Sequence, residues 1–285
     1  MRSLLFVPGD RPERFAKAQA AGADGIIIDL EDAVTAATRP QARVHAAAHL
    51  RNAGRNLPIW VRINPVQTSD ALPDLAAVAA ARPDGIVLPK ARTGADLQQL
   101  DHWLEALEAQ HGHAAGSIKV IALITETAQA VLSGSSFITP PARVIGYTWG
   151  AEDLAADVGA SANRSADDEF EFTFRMARAQ CLLVAAAAGV DAFDTTDTEF
   201  KDIAAVERRA QAARRDGFAG KLAIHPAQIE PIHKAFAPTA EEIAWARKVI
   251  ELMSGAVGAV ALDGRMIDRP HVQQARRILA ALERR

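Results

Sequence analysis

"GIIIDL" (25–30) is apolar from Gly25 through Ile28 without alternating, and then turns acidic at Asp29, Glu31 and Asp32. A strand with one face in water alternates, whereas a strand covered on both faces does not. This run therefore predicts a strand of a parallel sheet. Other short runs share the character: "LLFV" (4–7), "PIWVRI" (58–63), "GIVLP" (85–89) and "KVIALIT" (119–125). "RVIGYTW" (143–149), "VDAFDT" (190–195) and "KLAIH" (221–225) complete the set. Longer amphipathic stretches separate them. Eight strand–helix units in roughly the first 235 residues predict an α/β fold, a TIM (β/α)8 barrel. A doubly wound open sheet shares this alternation, but no G-x-G-x-x-G follows the first strand, which weighs against a dinucleotide-binding version.

Boundary signals support the helices. Asp10 with Glu13, Thr38 with Gln41 and Thr239 with Glu242 have capping-box spacing, and Gly22, Gly54 and Gly189 fall where helices should end. Residues 1–236 are assigned to the barrel. Residues 237–285 form a C-terminal helical extension, expected to pack on a neighbouring subunit. It comprises the helix "TAEEIAWARKVIELM", a glycine-rich excursion and a terminal helix.

Composition excludes several classes. Of 285 residues, 49% are hydrophobic, enough for a sizeable core, and the net charge of −3 presents no basic face to nucleic acid or an anionic membrane. No uncharged run has membrane-spanning length. Cys181, the one cysteine, rules out an internal disulfide and reads as packing in a buried helix. "MRSLLFVPGD" reaches Pro and Gly too early for a secretory leader. A cytoplasmic enzyme or binding protein is expected.

Parallel barrels place their active sites at the C-terminal ends of the strands. The polar residues there are Asp29, Glu31 and Asp32, Arg62 and Asn64, Lys90, Glu126, Asp153 and His225. Glu126 ends the apolar "LIT" run with no basic neighbour in sequence, and an unpaired buried carboxylate is costly. Each residue has an ordinary structural reading. Asp32 or Asp153 can cap a helix, Arg62 can form an ion pair, Lys90 can be solvated, and His225 before Pro226 can close a turn. Taken together, at least four carboxylates converge with two or three cations, and a divalent ion would balance them. Glu126 and Asp153 are hard oxygen ligands with no Cys or paired His beside them, which is the pattern for Mg2+, with Mn2+ able to substitute. "QHGH" (110–113) lies at a helix end away from this mouth. A Schiff base on Lys90 is the rival chemistry, and it needs an apolar pocket and a depressed pKa.

The ordered set "RSLLFVPGDRPERFAKA", "DLEDAV", "VRIN", "LPK", "ITETA", "GAEDLAADVG" and "IHPAQI" resembles the citrate lyase β-subunit-like lyases of the HpcH/HpaI aldolase superfamily. The resemblance covers essentially the whole chain, including "DGRMIDRP", which is typical of malyl-CoA and citramalyl-CoA lyases. It implies a Mg2+-binding barrel, assembled as trimers or hexamers, that cleaves or forms a C–C bond beside a CoA thioester. By position it implies Glu126 and Asp153 as metal ligands and Asp32 as a contact to metal-bound water. Arg62 is implied as the substrate-binding arginine, Arg11 and Lys17 as CoA-binding residues, and Asp268 as an acid entering a neighbouring subunit's site. Thr148 and Trp149 replace the small or apolar pair expected before Gly150. Other readings within reach are a citrate lyase subunit using an acyl-carrier-protein partner, an aldolase on free 2-oxo acids, a malyl-CoA thioesterase and a non-catalytic CoA-binding regulator.

Overall fold

The computed structural model describes residues 1–52, 54, 56–254 and 258–283. It divides into two compact units, Met1–Ala235 and Phe236–Arg285.

In the first unit eight parallel strands close into a barrel in sequence order. They are β1 (Ser3–Pro8), β2 (Gly25–Asp29), β3 (Ile59–Arg62), β4 (Gly85–Leu88), β5 (Lys119–Leu123), β6 (Val144–Thr148), β7 (Asp191–Asp194) and β8 (Gly220–Ala223). The helices between them are α1 (Phe15–Gln19), α2 (Arg39–Asn52), α3 (Ala71–Ala79), α4 (Gly94–Gln110) and α5 (Ala128–Leu132). After these come α6 (Ala151–Val158), α7 (Phe172–Ala188), α8 (Ile203–Asp216) and α9 (Ile229–Phe236). Each expected strand is present.

Strand register decides which side chains face the lumen. Leu4, Ile27, Trp60, Val87, Ile121, Phe193 and Leu222 pack in one cluster inside the barrel. Burying each such side chain contributes about 1.5–3 kcal/mol. Large and small residues alternate around the ring. Trp60 pairs with Gly85, where a side chain would collide with the indole, and a Cβ at Gly146 would lie 2.6 Å from the Phe193 ring. Two positions beyond Ile27 and Trp60, Asp29 and Arg62 keep the inward parity and stand side by side at the mouth. Asp194 and Lys221 have the opposite parity and face the helical layer.

Two expected helix caps are corrected. Pro12 starts a short 3-10 turn, so its cap position falls on Arg11, which makes no side-chain cap bond. Asp10 instead accepts a hydrogen bond from the Thr38 hydroxyl. Thr38 also donates to the Thr35 carbonyl, and Gln41 pairs with His45 instead of closing a box. The Thr239–Glu242 box is present, and a further box forms between Thr93 and Asp96.

The second unit contains α10 (Ala240–Met253), a hairpin of β9 (Val260–Leu262) and β10 (Arg265–Ile267), and α11 (Arg269–Glu283). Ala246, Val249, Ile267 and Ala275 form its core. The hairpin gives regular structure to part of the stretch read as a glycine-rich excursion. Asp263 and Gly264 both take positive φ, 50° and 76°, as a two-residue type I′ hairpin turn requires. Residues 255–257 of the excursion lie outside the described residues.

Candidate active site

Asp29 anchors the mouth. Its carboxylate accepts a two-pronged contact from Arg62, Nε at 2.7 Å and Nη2 at 2.6 Å. It also accepts the backbone N–H groups of Glu31 and Ala33, each at 3.0 Å, which fixes the turn after β2. The fork of Arg62 is therefore filled by the protein, and its Nη1 faces Glu31 at 3.1 Å and Asp32 at 3.8 Å. Burial works against the guanidinium charge, but Asp29, Glu31 and Glu126 outweigh it and raise the pKa of Arg62. Asn64 is occupied structurally, bonded to Asp74 and the Leu30 carbonyl.

Lys90 stands opposite. Its ammonium lies 2.5 Å from Glu31 Oε1, 3.2 Å from both oxygens of Asp32, and 3.1 Å from Asp153 Oδ1. Its backbone N–H donates to Glu126 Oε2 at 2.6 Å. Asp153 has a cationic partner, which the sequence conceals because the two residues are far apart in the chain. The Schiff-base chemistry also loses its footing. Burial alone would depress the lysine, but Glu31, Asp153 and Asp32 raise its pKa and keep it protonated.

Glu126 is 2% exposed, and its close packing against the next loop depends on Gly150. A Cβ at that position would lie 2.7 Å from Glu126 Cγ and 2.8 Å from Oε1. Burial, then the charges of Asp153 and Glu31, push the Glu126 carboxyl well above the usual range. Burial and the neighbouring Asp32 likewise push Glu31 up to about 7, against the pull of Arg62 and Lys90. Five carboxylates (Asp29, Glu31, Asp32, Glu126 and Asp153) thus share two cations, Arg62 and Lys90. The buried hydroxyls of Thr125 and Thr148 have no hydrogen-bond partner among the described residues.

This donor set fits a hard divalent cation: it is all oxygen and in negative excess, and Glu126 is held near a second carboxylate at a cost in ionisation. No three His, Cys, Asp or Glu side chains converge as a metal-ligating group among the described residues. Glu126 and Asp153 would supply two positions, leaving the others for water and substrate.

Arg11 follows β1 and is exposed, with Asp10 at 3.8 Å; Lys17 is exposed on α1. His225 accepts the Ala227 N–H and stacks on Phe200, as its turn-closing reading expected. Asp268 belongs to the second unit. Its carbonyl accepts the His271 N–H at the start of α11, and its carboxylate lies 2.6 Å from His271 Nδ1.

A second polar network was missed. Asp194 is buried and accepts hydrogen bonds from Trp149 Nε1 (2.8 Å), Arg178 Nε (3.0 Å) and Lys221 Nζ (3.0 Å). Asp197, also buried, lies 3.3 Å from Arg209 and 3.5 Å from Lys221. Burial raises the Asp194 carboxyl, but Lys221, Arg178 and Trp149 outweigh it and hold it below the usual range. The signal available in sequence was a lysine inside the apolar run of β8. Trp149 faces this network instead of the mouth.

Comparison with known proteins matches residues 2–226 to HpcH/HpaI aldolase/citrate lyase and residues 174–283 to the C-C bond lyase of the TIM-barrel fold. A citrate lyase subunit beta-like protein of Mycobacterium tuberculosis is 37% identical, over 96% of this chain and 93% of the relative. A (3S)-malyl-CoA thioesterase of Cereibacter sphaeroides is 32% identical, over 99% of this chain and 94% of the relative. Among solved structures, CitE of M. tuberculosis in complex with magnesium, acetoacetate and coenzyme A superposes with a TM-score of 0.83 at 36% identity, covering 99% of this chain and 98% of the other.

Proposed function

The chain belongs to the HpcH/HpaI aldolase/citrate lyase family, and on that premise we propose that it is a Mg2+-dependent carbon–carbon lyase. Its substrate would be a 3-hydroxyacyl-CoA of the malyl-, citramalyl- or citryl-CoA type, split into acetyl-CoA and a 2-oxo acid. The observation that carries this reading is the carboxylate excess around Glu126 and Asp153 at the barrel mouth.

Glu126 and Asp153 would hold the ion, with Asp32 reaching it through water; Mn2+ suits the same donors. When bound, the ion supplies Lewis-acid stabilisation of the oxygen beside the breaking bond. Arg62, locked by Asp29, directs Nη1 into the cluster, where it would neutralise charge developing on a substrate oxygen. The hydroxyl proton leaves to a base, the C–C bond breaks, and its electron pair forms the thioester enolate. Protonation of the enolate carbon yields acetyl-CoA. Asp268, delivered from a neighbouring copy in a homo-oligomer, is assigned this proton transfer. Arg11, just after β1, and Lys17, on α1, are exposed and suit the phosphates of CoA. The thioesterase among the relatives favours a second reading, in which the same site hydrolyses the thioester.

The test is to incubate purified protein with malyl-, citramalyl-, methylmalyl- and citryl-CoA, in Mg2+ or in excess chelator, and identify products by mass. Acetyl-CoA plus a 2-oxo acid, formed only with Mg2+, is the expected result. Full turnover in chelator rejects the metal. Free CoA with an intact hydroxy acid selects the thioesterase.

A further inference from the structure

Among the described residues, Lys90 contacts both carboxylates assigned to the ion. Its main chain holds Glu126 and its ammonium holds Asp153. The backbone adopts φ +51°, in the left-handed region that a lysine rarely enters. That conformation aims the N–H at Glu126 while the side chain reaches Glu31, Asp32 and Asp153. Such strain persists where the surroundings over-determine it.

An ammonium and a divalent ion on one carboxylate repel each other. We infer that Lys90 is a built-in competitor for the metal site: its ammonium must leave Asp153 for the ion to bind there, retaining Glu31 and Asp32 as its partners. This inference rests on the reading of Glu126 and Asp153 as metal ligands. Lys90 is thus a positioning residue that sets how tightly the site takes a metal. It steadies two like-charged carboxylates through one contact that the ion leaves in place, the N–H to Glu126, and one that the ion displaces. A purely structural clamp would do the opposite, because losing it would let Asp153 drift and weaken the metal.

The two roles separate in a Mn2+ titration followed by the resonance of the free ion, on chelator-stripped wild type, Lys90→Met and Arg92→Met. Lys90→Met is expected to bind Mn2+ roughly 3- to 10-fold more tightly, the scale of a half-buried ion pair released. Arg92, exposed two residues along, removes the same charge at the surface and should leave the affinity unchanged. Equal or weaker binding by Lys90→Met overturns the inference, as does equal tightening by Arg92→Met. A second measurement needs no variant: labelling of Lys90 by acetic anhydride, read by mass, should rise when Mg2+ is added to stripped wild type. An unchanged rate overturns the inference even if Lys90→Met does not fold. Wild type that binds no Mn2+ would instead overturn the assignment of Glu126 and Asp153, and the role of Lys90 with it.

Discussion

Two charged networks stand at the C-terminal ends of the barrel strands, and they are balanced in opposite ways. At the mouth, five carboxylates share Arg62 and Lys90; behind β7 and β8, the two buried carboxylates Asp194 and Asp197 meet Lys221, Arg178, Arg164 and Arg209. One network raises the pKa of Glu31 and Glu126, and the other lowers that of Asp194. The cause is a single step of strand parity. Asp29 lies two residues beyond the lumen-facing Ile27, so it points into the mouth. Asp194 lies one residue beyond the lumen-facing Phe193, so it points into the helical layer. Charge sealed against helices must be neutralised within the protein, whereas charge at the mouth is left for a ligand to neutralise.

Glu126→Gln and Lys221→Met should break in opposite directions. Glu126→Gln removes a proposed ion ligand and an ionisation that burial opposes. Turnover and metal affinity should fall on the order of 1000-fold, while the melting temperature of the stripped protein holds or rises. Lys221→Met leaves Asp194 and Asp197 short of a counter-charge and should cost about 3–5 kcal/mol of stability in denaturant unfolding, with Mn2+ affinity kept. Unfolding by Glu126→Gln, or a neutral Lys221→Met, would erase the distinction.

The same contrast appears in pH. Glu31 moves from 4.5 in the unfolded chain to about 7 in the fold. The native state therefore binds its proton more tightly, so this stability is fully present below about 4.5 and is lost as pH rises through about 7. The loss is on the order of 3 kcal/mol at most. Glu126, also raised, adds to the loss at higher pH. Asp194 is lowered, so its contribution is present above 3.8 and lost as pH falls below that value. Stripped protein should melt at lower temperature at pH 8 than at pH 5, and Mg2+ should restore more at pH 8. A flat profile in chelator would show that the mouth is not strained by its own charge.

Much of this architecture was legible. The eight strands appear within two residues of the apolar runs, because continuous burial leaves a local signature. Lys90 on Asp153, Arg62 on Asp29 and Lys221 on Asp194 were not, because each pair joins different strand–loop units and depends on barrel register. Parity against Leu222 would have pointed to Lys221. The hairpin at β9 and β10 carried its own local sign, an Asp-Gly between Val-Ala-Leu and Arg-Met-Ile, which the glycine-rich reading passed over. Of the predicted site residues, the structure gathers Glu126, Asp153, Asp32 and Arg62 at the mouth.

The finest division between the two networks runs through three consecutive residues. Thr148 ends β6 with lumen parity, Trp149 turns outward to Asp194, and Gly150 lies against Glu126. Trp149→Phe keeps the ring against Phe170, 4.9 Å between centroids, but removes the N–H to Asp194. Two cations still hold that carboxylate, so the loss should be about 1–2 kcal/mol of stability, with metal affinity and kcat/KM unchanged. Gly150→Ala touches only the other network. Its methyl must displace Glu126, because the contact at 2.7 Å is shorter than a Cβ tolerates and the carboxylate has little free space. Metal affinity should fall by about 10-fold while stability changes by less than about 1 kcal/mol, since moving a carboxylate out of strained burial offsets part of the clash. Calorimetry of metal binding and denaturant unfolding on the two variants tests this directly. If Trp149→Phe weakened the metal as much as Gly150→Ala, the two networks would be one coupled system, and the outward charges would belong to the site.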